Sequence, residues 1–150
     1  MSHSHGKCLY HFVFSTLNRH PTICQDWQPR LWAYMGGIAR TNGMEALLIG
    51  GTVNHSHVLL TAPPTMAPAK AVQLIKGGSS KWVHEELPQG RQFAWQQGYG
   101  VFTIGFSQID ITLAYIANQA EHHRAKTFEE EYRAFLALHM IEVEDEYLFG

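Results

Sequence analysis

The sequence predicts an α+β fold built on one antiparallel sheet, and three observations carry that expectation. Four short runs rich in aromatic and β-branched residues alternate with two long amphipathic runs in the order β-α-β-β-α-β. The second and third strand-like runs are separated only by glycines and turn residues, which is hairpin chemistry. Two further helical runs follow the last strand, each opened by a capping signal.

The first strand is read over Cys8 to Leu17, too short for a good helix and dense in Tyr, Phe and Val. Asn18-Arg19-His20-Pro21 ends it with turn residues. Asp26 is placed as the N-cap of a helix from Trp27 to Thr41, with Leu31, Tyr34, Met35 and Ile38 at helical spacing and Asn42-Gly43 as its stop. Met44 to Ile49 and His55 to Ala62 form the hairpin around Gly50-Gly51. Pro63-Pro64 breaks the second of these strands. Pro68 then opens a helix to Leu87, stopped by Pro88-Gln89-Gly90 and weakened at Gly77-Gly78, where a break or the close approach of another backbone is expected. Gly98 to Gly105 is the fourth strand. Ser107-x-x-Asp110 opens a helix to Lys126, and Thr127-x-x-Glu130 opens a last one to Met140. This order is the ferredoxin-like pattern with two additional C-terminal helices, a sheet with one face for helices and one for a ligand.

At 150 residues with 45% hydrophobic content, the chain fits a single domain over 1–150, with 1–7 as a flexible polar terminus. No apolar stretch approaches the roughly 20 residues that cross a bilayer, so the expectation is a soluble, cytoplasmic protein without a membrane partner. Cys8 and Cys24 lack C-x-x-C spacing and suit a reducing compartment. A net charge of −2 argues against coating nucleic acid by bulk attraction. The distribution is uneven, however. Residues 127–150 hold seven acids and one base, net −6, which leaves the first 126 residues at net +4 and compatible with a phosphate-backbone ligand.

Two H-x-H runs occur among ten histidines, so the motif alone is weak evidence. His3-x-His5 lies in the polar terminus. His55-x-His57 runs into an apolar strand, and residues i and i+2 of a strand share a face, so both imidazoles point into one space. On the helix after the fourth strand, Ile111, Tyr115, Gln119 and His123 form one i, i+4 stripe, presenting a phenol and an amide oxygen together. Zinc would ask for further cysteine or nitrogen ligands. Two imidazoles and an amide oxygen, with open positions for water and phosphate, suit Mg²⁺ or Mn²⁺ better, with His55, His57 and Gln119 as ligands. A phenol with a pKa of about 10 becomes a nucleophile only beside a cation, and that is the role expected of Tyr115. Phosphate contacts are expected from Arg19, Lys76, Ser79, Ser80, Lys81 and His123. Trp82, Trp95, Tyr99 and Phe102 are more often core than base-stacking residues. Glu129-Glu130-Glu131 is read as a solvated first turn favoured by the helix dipole.

Taken together, these motifs resemble the single-tyrosine HUH transposases of bacterial insertion sequences, including the repeat-associated tyrosine transposases. The likeness rests on Asn18-Arg19-His20-Pro21, Asn54-His55-x-His57-Val58-Leu59-Leu60, Lys76-x-x-Ser79-Ser80-Lys81-Trp82, Trp95-x-x-Gly98-Tyr99-Gly100 and Tyr115-Ile116-x-Asn118-Gln119 with His122-His123. It implies a metal held by His55, His57 and Gln119, with Tyr115 attacking single-stranded DNA with hairpin ends to form a 5′-phosphotyrosine link. It also implies a homodimer without a nucleotide cofactor, nucleoid-associated when DNA-bound. Two departures stand out: Ser56 occupies a position usually bulky and apolar, and overall basic character is missing. Two other readings stay open from the residues themselves, a non-catalytic nucleic-acid-binding module and a metal-dependent phosphoesterase.

Overall fold

The computed structural model describes residues 3–87 and 89–150. Met1 and Ser2 of the expected flexible terminus, and the Pro88 expected to stop the second long helix, lie outside the described residues. The elements are β1 (Cys8–Ser15), α1 (Gln28–Thr41), β2 (Glu45–Gly51), β3 (His55–Ala62), α2 (Pro68–Glu86), β4 (Gly100–Thr103), α3 (Ile109–Ala117), α4 (Gln119–Ala125) and α5 (Phe128–Leu138). The sheet order is β2-β3-β1-β4 with every pair antiparallel, which is the ferredoxin-like arrangement expected.

Strand alternation divides the core in two. Phe12 and Phe14 of β1 and Val58 and Leu60 of β3 pack with Leu31 and Met35 of α1 and Ile75 of α2 on one face. Val13 and Phe102 turn to the other face and pack with Phe128, Tyr132 and Leu136 of α5. The second face is therefore covered by the C-terminal helices rather than left open to a ligand. His55 and His57 are on that covered side, both fully buried. Ser56 points the other way, also fully buried, and its hydroxyl donates to Gly50 O at 3.1 Å, so the small polar residue is accommodated.

Several local expectations are corrected. Asp26 does not cap α1; the helix starts after Trp27, and Cys24 O accepts the Trp27 and Gln28 amides. Gly50 and Gly51 belong to β2 rather than to the turn, which is Thr52 to Asn54. Gly51 has φ 151°, and a Cβ there would run into the His55 carbonyl oxygen, so only glycine lets the hairpin close against His55. The Gly77-Gly78 pair does not break α2. Instead Gly78 admits the Ile38 side chain of α1, whose Cδ1 would be 2.8 Å from an added Cβ. Ser107 caps nothing; Gln108 Oε1 accepts the Gly105 amide at 3.0 Å. The helix expected to run through to Lys126 is two helices, broken at Asn118 (φ −102°, ψ 26°). Thr127 does cap α5, accepting the Glu130 amide at 3.2 Å.

Candidate metal and nucleophile site

Three elements bring the site together. The first is the β2–β3 hairpin, which points His55 and His57 at α5. Thr52 and Asn54 in the turn hold the first imidazole from behind, with His55 Nδ1 2.9 Å from Asn54 Oδ1 and 3.0 Å from Thr52 Oγ1. Phe128 stacks on the same ring at 4.3 Å between centroids. The second is the α3–α4 segment. Despite the break at Asn118, Tyr115, Gln119 and His123 remain on one side, and Gln119 is 1% exposed with Oε1 2.9 Å from His55 Nε2 and 3.1 Å from His123 Nε2. Ile111, the apolar end of that stripe, is 74% exposed.

The third element, α5, contributes a residue that sequence reading missed. Glu131 is 2% exposed, whereas its neighbours Glu129 and Glu130 are solvated as expected. Its Oε1 lies 2.9 Å from His57 Nε2 and 3.6 Å from His55 Nε2. Its Oε2 accepts the Tyr115 hydroxyl hydrogen and lies 3.4 Å from His123 Nε2. The available signal was positional. Phe128, Tyr132 and Leu136 mark the buried stripe of α5, and Glu131 is three residues after the first of them. His11 was also missed: on β1 and 3% exposed, its Nε2 is 2.8 Å from His57 Nδ1.

The electrostatics follow from burial and this shared carboxylate. Burial, then the neighbouring His57, lowers His11 to about 3 and His55 to about 3, so both rings are neutral. Burial alone would raise the Glu131 carboxyl, but hydrogen bonds from His123 and His57 outweigh it and hold the group well below the usual carboxylate range. Burial, then the hydrogen bond to Glu131 and its charge, pushes the Tyr115 phenol well above its ordinary value. For His123, burial opposes the charged form, yet the Glu131 hydrogen bond and charge raise it overall.

The donor set fits a divalent cation. A neutral His55 has one N–H but faces an amide oxygen from each ring nitrogen, Asn54 on one side and Gln119 on the other. If Asn54 accepts the hydrogen, the Nε2 lone pair meets the oxygens of Gln119 and Glu131, and a cation resolves that opposition. Neighbouring ligands of an octahedral ion with bonds of about 2.1 Å are about 3 Å apart. The separations of 2.9, 2.9 and 3.6 Å are of that size. His55, His57 and Glu131 form a group able to hold a metal ion. Beside them, a pocket of about 340 Å³ is lined by Tyr115, Glu131, His11, Ile111, Phe135 and Leu138 among others.

The expected phosphate-contact residues are elsewhere, apart from His123. Lys76 spends its ammonium on the carbonyl oxygens of Gln96, Gln97 and Gly98 at 2.6, 3.1 and 2.7 Å, and burial lowers it to about 8. Ser79 is fully buried, donating to Lys76 O and accepting from Trp95 Nε1, so its hydroxyl does not reach a phosphate. Ser80 is half-buried at a second pocket and Lys81 is exposed. Arg19 packs its guanidinium over the Phe149 ring, 3.9 Å from the centroid. Trp95 and Phe102 are core residues, and Trp82 stacks on Tyr34.

A family model described as IS200-like transposase matches residues 4–119, a span that includes His55, His57, Tyr115 and Gln119 and stops short of Glu131. The chain is 25% identical over 130 residues to the transposase for insertion sequence element IS200 of Salmonella typhimurium, covering 83% of this chain and 84% of that protein. It is 28% identical over 86 residues to the ISDra2 transposase TnpA of Deinococcus radiodurans, covering 57% and 61% respectively. Among solved structures, a candidate transposase from Deinococcus radiodurans R1 superposes with a TM-score of 0.64 and 26% identity over 79% of this chain and 98% of that one. A REP-associated tyrosine transposase bound to a REP hairpin shares the fold, with a TM-score of 0.60 and 16% identity over 82% of this chain and 74% of that one. With well over half its length matched by the family model, the chain belongs to the IS200-like transposases.

Proposed function

We propose that this transposase cuts and rejoins single-stranded DNA with Tyr115 as the nucleophile. The observation that carries the reading is that the Tyr115 hydroxyl and both imidazoles of the His55-x-His57 pair meet one buried carboxylate, Glu131, within a single chain. The phenolic oxygen forms a bond to the scissile phosphorus as the bond from phosphorus to the 3′ oxygen breaks. The product is a 5′-phosphotyrosine link and a free 3′-hydroxyl, and rejoining reverses the same exchange. Glu131 Oε2, already bonded to the phenol, relays the hydrogen that leaves it, and one hydrogen is delivered to the departing 3′ oxygen from pocket water, so the exchange closes with the carboxylate ionised as before.

His55, His57 and Glu131, with Gln119 as a fourth donor, would hold Mg²⁺ or Mn²⁺. Bound there, the ion would polarise the phosphate and favour the phenolate. The DNA contacts fall to Lys81, Ser80, Arg19 and His123, since Lys76 and Ser79 are committed internally. The hairpin held by the REP-associated relative supports a hairpin-ended single strand as the substrate here. Exposed apolar side chains at Phe106, Ile111, Leu138 and Met140 support a homodimer, although Tyr115 is already within reach of its own histidines. No helix among the described residues is long and apolar enough to cross a membrane. As a transposase, the protein would act on DNA in the cytoplasm, nucleoid-associated when bound.

The test mixes the protein with labelled single-stranded hairpin DNA and Mg²⁺ or Mn²⁺ and separates the products under denaturing conditions. A protein–DNA adduct that disappears in Tyr115→Phe and in His55→Ala is the expected result. Hydrolysed DNA without an adduct, persisting in Tyr115→Phe, would instead indicate a phosphoesterase using water. Binding with no cleavage under any condition would indicate a non-catalytic module.

A further inference from the structure

His57 is held at both ring nitrogens. Nε2 faces Glu131 Oε1 at 2.9 Å, and Nδ1 faces His11 Nε2 at 2.8 Å. His11 belongs to β1, where Val13 stands directly opposite His57, so His11 is the diagonal neighbour on the same face of the sheet. Phe102 and Phe135 meet its ring edge-on at 68° and 86° and keep it in one orientation.

A neutral imidazole offers a lone pair to a cation only at the nitrogen without a hydrogen. For Nε2 to be that atom, Nδ1 must carry the hydrogen and have an acceptor. His55 has one in Asn54 Oδ1, which has no hydrogen to give. His57 has no oxygen in that place; its only Nδ1 partner among the described residues is the second imidazole, which can accept or donate.

We propose that His11 is a positioning residue: when a divalent cation takes the place of the hydrogen that His57 Nε2 gives to Glu131 in the cation-free protein, His11 Nε2 accepts the Nδ1 hydrogen of His57 and so leaves His57 Nε2 open to the ion. His11 then carries its own hydrogen on Nδ1, an atom with no protein partner among the described residues but one that is not sealed from solvent, where pocket water can accept it. Nothing else on β1 can perform this task, since Leu9, Val13 and Ser15, the other residues on that face, have no acceptor directed at His57. The inference rests on reading His55 and His57 as cation ligands.

The test compares the intact protein with His11→Phe, which keeps a ring but removes the acceptor, and His11→Gln, whose amide oxygen reaches about as far as the lost Nε2. Mn²⁺ affinity is measured by calorimetry, and the His57 tautomer is read from ¹⁵N shifts of the Mg²⁺-loaded wild type. His11→Phe is expected to weaken Mn²⁺ binding about tenfold or more, and His11→Gln to restore it to within about threefold of wild type. His57 is expected to carry its hydrogen on Nδ1. Equal Mn²⁺ affinity in His11→Phe, or a His57 hydrogen on Nε2 in the loaded protein, overturns the proposal while leaving the cation site standing. If His11→Phe does not fold, the glutamine variant and the wild-type spectrum decide the matter: a folded His11→Gln with lost affinity also overturns it. A wild type that binds no Mn²⁺ overturns the ligand reading itself, and this inference with it.

Discussion

Tyr115 donates its hydroxyl hydrogen to Glu131 Oε2, while the other oxygen of that carboxylate is 2.9 Å from His57 Nε2. One side chain thus joins the proposed nucleophile to the proposed ligands, and it has two effects. It adds to burial, the larger effect, in opposing ionisation of the phenol in the cation-free protein, through its hydrogen bond and its fixed negative charge. It also supplies the hard oxygen that Mg²⁺ and Mn²⁺ prefer. Glu131→Gln should therefore lower the pH at which Tyr115 ionises, though burial keeps it above the ordinary tyrosine value, and should weaken Mn²⁺ binding about tenfold or more. Ultraviolet titration against a Tyr115→Phe reference and calorimetry measure the two effects separately. An unchanged phenol midpoint would count against the link.

Stability of the cation-free protein should fall with acid. His11 and His55 have folded values of about 3, against about 6.5 when unfolded. Between those limits the unfolded chain binds the extra protons, so each group destabilises the fold by up to about 1.4 kcal/mol per pH unit as pH drops from about 6.5 towards 3. Glu131, depressed in the fold, adds stability that is lost as pH falls below the ordinary carboxylate range. His123, raised in the fold, acts in the other direction: its contribution is present in full below about 6.5 and is lost as pH rises through its folded value. Urea midpoints across this range should peak near neutrality, and His11→Phe should flatten the acid limb.

Gly50 sets the seat of α3. A Cβ at this position would be 3.0 Å from Ile116 Cγ2 and 3.1 Å from Ile116 O, one residue after Tyr115. Gly50→Val must lift α3 from β2. Overpacking of this kind costs about 1–3 kcal/mol. A displacement of about 1 Å at a reacting group can cost about 100-fold in rate. DNA nicking should accordingly fall far more than the shift in denaturation midpoint explains, measured as adduct formation per unit of folded protein.

Lys76 and Lys81 should separate cleanly. Lys76→Met leaves the carbonyls of Gln96, Gln97 and Gly98 without their shared donor, a loss of about 1–3 kcal/mol measurable by chemical denaturation, with little change in the salt dependence of DNA binding. Lys81→Ala should do the opposite, leaving stability nearly unchanged and reducing the slope of log affinity against log salt by about one.

The succession of strands and helices along the chain, the His55-x-His57 face and the Tyr115–Gln119–His123 stripe were legible because they depend on periodicities of two and of 3.6 along a local stretch, and the observed elements keep those periods. The break at Asn118 was not legible. It falls between the seat of α3 on Gly50 and the reach of Gln119 to His55, contacts between segments some 60 residues apart that local periodicity does not encode.

Glu131 and His11 mark the same boundary from the other side. By sequence, the first is one of three consecutive acids at a helix start, and the second one residue of an aromatic strand. What the chain determined alone was which residues share a face of their own helix or strand, since backbone geometry dictates that within a few residues. Which carboxylate is buried against the imidazoles, and which ring backs His57, was decided only when α5 closed over the sheet and β1 paired with β3. Desolvation and hydrogen-bond partners are properties of neighbours in space, and strand register is not written in any single strand.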